Sequence, residues 1–118
     1  MDYKLSDAEI SIMQLLWSNG PMKAAEIAEY AIEKNGWKKN TTYTIINRLI
    51  GKAAVKCVDP GFICQPLCQK SDVSRIEARN LIDKLYNGSI NVFMQAFLEE
   101  QDISREELEA LKRLIEER

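Results

Sequence analysis

The stretch WKKNTTYTIINRLIGKAAVK, residues 37–56, decides how the rest of the chain is read. Five of its residues are Lys or Arg and none is acidic, in a protein of net charge −2. Ile45, Ile46, Leu49 and Ile50 recur at helical spacing. That spacing predicts a helix over residues 41–52 with those four side chains buried and Lys39 or Asn40 near its N-cap. The opposite face would present Thr42, Tyr43, Thr44 and Asn47, flanked by Lys38, Lys39 and Lys52. Past the helix the period changes. Residues 54–58 and 62–65 flank the turn signal Asp59-Pro60-Gly61, which predicts a β-hairpin with Val58 opposite Ile63 and Cys57 opposite Cys64, closed by Pro66.

Working outward, residues 5–17 read as an amphipathic helix with Ile10, Met13, Leu16 and Trp17 on one face. Ser6 and Glu9 have capping-box spacing, and Asn19-Gly20-Pro21 stops the helix. Residues 23–33 predict a second helix with Ala24, Ile27, Ala28 and Ala31 inward, closing at Asn35-Gly36. Beyond the hairpin, helices are expected over 72–86 and 89–101, separated at Asn87-Gly88. A third follows Ser104, whose hydroxyl and Glu107 repeat the capping-box spacing. The order α-α-α-β-β is that of a winged helix-turn-helix. The expected fold is therefore mostly α with a small β-hairpin wing, residues 1–70 forming the winged domain and 71–118 a helical dimerisation region.

Composition narrows the function classes. The chain has no His, no Gly-rich phosphate loop and no clustered carboxylate pair, so nothing supplies a nucleophile with an activating base. Neither an enzyme nor a cofactor is expected. No apolar run approaches the ~20 residues of a membrane span, and MDYKLSDAEI lacks the basic start of a signal peptide. We read the chain as cytoplasmic, without a membrane partner and with reduced thiols. Charge is uneven: residues 1–70 hold nine Lys/Arg against seven Asp/Glu, and residues 71–118 hold seven against eleven. The basic surplus coincides with the third helix.

Winged helices lay the third helix in the major groove of duplex DNA and let the hairpin touch the flanking backbone. Lys38, Lys39 and Lys52 suit phosphates, while hydroxyls and Asn47 suit base edges. A polar helix face is also what any solvated helix shows, and Arg48, beside the buried stripe, is expected either to touch DNA or to brace the fold by a salt bridge. The rival reading is a winged-helix protein-interaction module without specific DNA binding; the pI of about 5.2 and a hairpin tip without Lys or Arg favour it. Cys57, Cys64 and Cys68 are read as small buried hydrophobes, with a thiol-based redox or soft-metal response as the alternative.

In the tail, Phe93, Phe97, Leu98, Leu108, Leu111, Leu114 and Ile115 need a partner surface, because short isolated helices cannot bury a face alone. Packing back on the first domain is one solution. A two-fold homodimer is the other, and it lets two reading helices meet two half-sites.

LSDAEISIMQLLW, the helix ending near NGW, the WKKNTTYTIINRL run, a hairpin closing in Gln-Pro-Leu and the AFLEEQDISREELEAL tail together resemble the penicillinase-repressor family, the BlaI/MecI/CopY group. The resemblance covers nearly the whole chain. It implies dimeric winged-helix repressors on inverted-repeat operators, dimerised by their C-terminal helices. The family's recognition helix maps onto residues 40–52, from Asn40, with Thr41, Tyr43 and Thr44 at DNA-touching positions. Two departures stand out: Tyr43 replaces a common basic residue, and Ala53 replaces the Gly that usually ends the helix. In the antibiotic-responsive branch, the resemblance implies a sensor protease that cuts the tail; the matching bond is Ala96–Phe97. The C-terminal Cys-x-Cys pair of the copper-responsive branch is absent from LKRLIEER.

Overall fold

The computed structural model describes residues 4–100 and 102–118, with the Glu100 side chain left aside. Gln101, the expected end of the fifth helix, lies outside the described residues. The element order is α1 (Asp7–Asn19), β1 (Met22–Lys23), α2 (Ala24–Asn35), α3 (Lys39–Gly51), β2 (Val55–Val58), β3 (Ile63–Pro66), α4 (Lys70–Leu85), α5 (Ile90–Glu100) and α6 (Arg105–Glu116). It is a mostly helical winged helix-turn-helix chain with a small antiparallel sheet. Two compact units divide it, Met1–Ala78 and Arg79–Arg118.

In the first unit, local chemistry sets the helix ends. Ser6 Oγ accepts the Glu9 N–H at 3.2 Å and Glu9 Oε1 accepts the Ser6 N–H at 2.8 Å, a complete capping box that satisfies two orphan donors. α1 stops at Gly20, whose φ of 78° suits a residue without a Cβ. Glu26 reaches back to the Lys23 N–H at 3.1 Å to open α2, and α2 closes on left-handed Gly36.

The three helices converge on one core. Ile12, Met13 and Leu16 come from α1, Ala24 and Ile27 from α2, and Ile45, Ile46 and Leu49 from α3. Burying each large aliphatic side chain is worth about 1.5–3 kcal/mol. Val55, Cys64 and Cys68 close the core from the hairpin side, and Val73 brings in the start of α4. The Trp17 indole N–H donates to the Cys68 carbonyl at 2.8 Å, which ties α1 to the segment after the hairpin.

The hairpin has the register read from its turn: Cys57 pairs with Cys64 and Val58 with Ile63. A third strand was not expected. β1 adds to the other side of β3, Met22 opposite Cys64 and Lys23 opposite Ile63, giving the order β1-β3-β2. The Ala24 N–H donates to the Phe62 carbonyl at 3.1 Å, so the start of α2 is pinned to the turn end of the wing.

In the second unit, Asn87 (φ 52°) and Gly88 (φ 75°) make the left-handed break between α4 and α5. Arg79 stabilises it, donating to the Gly88 carbonyl at 2.7 Å and to Asp83 at 2.9 Å. Phe93 packs edge-on to Tyr86 at 5.1 Å and stacks with Phe97 at 5.8 Å. α6 starts where the Ser104 hydroxyl accepts the Glu107 N–H at 3.1 Å. It buries none of its residues: Leu108, Leu114 and Ile115 are exposed, and Leu111 is half-buried.

Candidate nucleic-acid interface

The α3 helix begins two residues earlier than its apolar spacing implied, at Lys39, and Lys38 is its N-cap. No side chain among the described residues caps it, so its first N–H groups face outward beside two lysines. Thr41, Thr44, Asn47 and Arg48 are exposed, along with Lys38, Lys39 and Asn40. Thr44 Oγ1 donates to the Asn40 carbonyl at 2.9 Å, which leaves the hydroxyl's lone pairs free to accept. Tyr43 is half-buried against the core, and the Lys39 ammonium stands 5.9 Å from its ring centroid. Among the described residues Arg48 makes no ion pair, so the bracing role finds no partner.

Three sequence expectations need correcting. Thr42 was placed on the outward face, yet it is fully buried, while Ile50 was placed in the stripe and is 38% exposed. The buried set is Thr42, Ile45, Ile46 and Leu49. That is i, i+3, i+4, i+7, one turn nearer the N-terminus than the aliphatic residues alone suggested. Among the described residues the Thr42 hydroxyl has no hydrogen-bond partner. Lys52 is the third case. Its ammonium lies 2.7 Å from Glu9 Oε1 and 3.0 Å from the Lys4 carbonyl, so it locks the end of α3 to the start of α1 instead of standing free for phosphate.

Glu9 is buried at the other end of that contact. Burial alone would raise its carboxyl pKa, but the Lys52 ammonium together with the Ser6 N–H and hydroxyl outweighs burial and holds it below the usual carboxylate value.

The fold brings to the wing tip a cation that the hairpin turn itself lacks. Lys23 is exposed on β1, and its Cε and Cδ pass 3.5 Å and 3.9 Å from where a Cβ on Gly61 would stand. A lysine 38 positions earlier in the chain therefore lies along the wing tip. Nothing in the sequence signals this placement, because it depends on β1 pairing with β3. Lys56 is exposed on β2.

This geometry frames what the chain resembles. A family profile described as "Penicillinase repressor" matches residues 5–117. The chain belongs to the penicillinase repressor family. A member from Bacillus licheniformis, itself a penicillinase repressor, is 28% identical over 116 residues, covering 97% of this chain and 91% of its own. The methicillin resistance regulatory protein MecI of Staphylococcus aureus is 30% identical over 115 residues, covering 96% of this chain and 94% of its own. The solution structure of the DNA-binding domain of the repressor BlaI superposes with a TM-score of 0.57 at 27% identity, covering 61% of this chain and 90% of that one. The Bacillus licheniformis BlaI monomeric form in complex with the blaP half-operator gives 0.55, with the same identity and coverage.

Ala53, which follows α3, takes a φ of 59°, a left-handed conformation that strains a residue with a Cβ. In the tail, Phe97 and Leu98 are exposed and Phe93 is half-buried, while Ala96 and Phe97 lie in the interior of α5. A protease acting on the Ala96–Phe97 bond would first have to unwind that helix. Among the described residues no helix is long and apolar enough to cross a membrane.

Proposed function

We propose that this penicillinase-repressor family member is a sequence-specific transcriptional repressor that binds duplex DNA as a homodimer on an inverted-repeat operator. The observation that carries the reading is the division of α3. Thr42, Ile45, Ile46 and Leu49 hold it to the core, while Thr41, Thr44, Asn47 and Arg48 stand outward behind Lys38 and Lys39. Asn47 has the chemistry to bond an adenine bidentately, Thr41 and Thr44 to accept from or donate to base edges, and the lysines and uncapped helix start to hold phosphates. Lys23 and Lys56 give the wing two charges for the flanking backbone.

The homodimer rests on the tail. Ile90, Val92, Phe97, Leu98, Leu108, Leu114 and Ile115 are exposed apolar side chains in a unit of 40 residues. A second copy covering them would hold two reading helices on one duplex and raise affinity through effective concentration.

The test is fluorescence anisotropy of the duplex upstream of the protein's own gene, in excess competitor DNA, across a salt series. Specific retention that weakens steeply with salt supports the reading. Indifference to the sequence and to salt favours the protein-interaction module. Sedimentation of the same sample decides the dimer.

A further inference from the structure

The fold treats the three cysteines differently. The β2–β3 register sets Cys57 directly opposite Cys64, and their Sγ atoms lie 2.7 Å apart. Directly opposed residues of antiparallel strands have Cα atoms about 4.5–5.5 Å apart, inside the ~4.4–6.8 Å window of disulfides, and their side chains leave the same face of the sheet. A bond between them asks for no backbone rearrangement. Cys68 is buried in the segment after the wing, its Sγ turned to the Ala54 carbonyl at 4.0 Å. Among the described residues no three His, Cys, Asp or Glu side chains converge as a metal site. The soft-metal alternative raised for Cys57, Cys64 and Cys68 therefore lacks its ligand set, and a vicinal pair remains.

We propose that Cys57 and Cys64 form a reversible intramolecular disulfide on meeting a hydroperoxide, making the wing hairpin a thiol modification site. Cys57 is the half-buried and reachable sulfur; Cys64 is fully buried in the middle strand of the sheet. The Cys57 thiol gives up its proton to solvent and its thiolate attacks a peroxide oxygen. The O–O bond breaks, the leaving oxygen takes a proton back from solvent, and the products are a sulfenic acid on Cys57 and the alcohol (water, for hydrogen peroxide). The Cys64 sulfur then attacks the Cys57 sulfur. The S–S bond forms, the S–O bond breaks, and water leaves with the proton from Cys64. Two thiols are oxidised by one each while the two peroxide oxygens are reduced, so electrons balance. Burial and the neighbouring Cys57 both push the Cys64 thiol pKa up, so it reacts only with a partner already placed against it. Because Cys64 also faces Met22 of β1, the bond would fix the outer strand β2 to the middle of the sheet.

The experiment treats the full chain with hydrogen peroxide and counts thiols in denaturant. Titratable thiols fall from three to one, with the mass lower by two hydrogens. After digestion with trypsin and chymotrypsin, which also cuts after Phe62, the fragment carrying Cys57 stays joined to the one carrying Cys64, and dithiothreitol restores all three thiols. Cys68→Ser leaves the reaction intact, whereas Cys57→Ser abolishes it. Amide exchange across residues 55–66 slows on the order of tenfold in the oxidised protein. Three surviving thiols, a Cys57 that proceeds to sulfinic acid with Cys64 untouched, or bonds only between chains would each overturn the proposal.

Discussion

Glu9 couples two ends of the winged domain through one carboxylate. It caps α1 by accepting from Ser6, and it holds the Lys52 ammonium at the close of α3. Because its folded-state pKa is depressed, its contribution is complete above the unfolded value of about 4.3 and disappears as the pH falls through the lower folded value. Urea unfolding followed by Trp17 and Trp37 fluorescence should therefore show a loss of stability below about pH 4. Glu9→Gln should cost about 1–3 kcal/mol at neutral pH and flatten that acid limb. Lys52 is half-exposed, which sets the expectation toward the lower end. Thr42 gives the opposite sign. A buried hydroxyl without a partner is unfavourable, so Thr42→Val should raise stability by about 1 kcal/mol in the same assay. Both residues show where the sequence was legible. Ser6 and Glu9 announce a cap by spacing alone, so that end of α1 could be read. The Glu9–Lys52 pair joins residues 43 apart and could not. Thr42 was misread because a polar side chain inside an aliphatic stripe leaves no mark in hydropathy.

At the scale of elements, the helices and the hairpin register followed from period and turn chemistry, whereas β1 did not. Two residues are too few to show alternation, and their pairing with β3 is a tertiary event. The missed strand has a functional consequence, since it delivers Lys23 to the wing tip. Lys23→Ala should reduce the log–log salt dependence of DNA affinity by nearly one unit, with little change in sequence preference, if that ammonium neutralises one phosphate. Anisotropy titrations at four or more salt concentrations would check it; an unchanged slope would exclude Lys23 from the contact. The turn after α3 carries a second element-scale prediction. Ala53 holds a φ of 59°, and Gly removes the Cβ strain at some entropic cost in the unfolded chain. Ala53→Gly should stabilise the winged unit by about 0.5–1 kcal/mol, read as a shift in urea midpoint at constant slope.

For the molecule as a whole, the winged unit presents α3 and the tail presents apolar side chains that its own helices leave exposed. The proposed function uses both properties, one to read a half-site and the other to double it. The claim on which the rest depends is that α3 has one face for the core and one for DNA. It is tested most directly by measuring the affinity of paired variants for one duplex from the upstream region. Asn47→Ala, on the outward face, should lose about tenfold or more, the size of one bidentate base contact. Thr42→Val, five residues earlier and inside, should stay within about twofold of the parent, because it alters only the core. Equal losses for the two, or a loss at Thr42 with none at Asn47, would contradict the account.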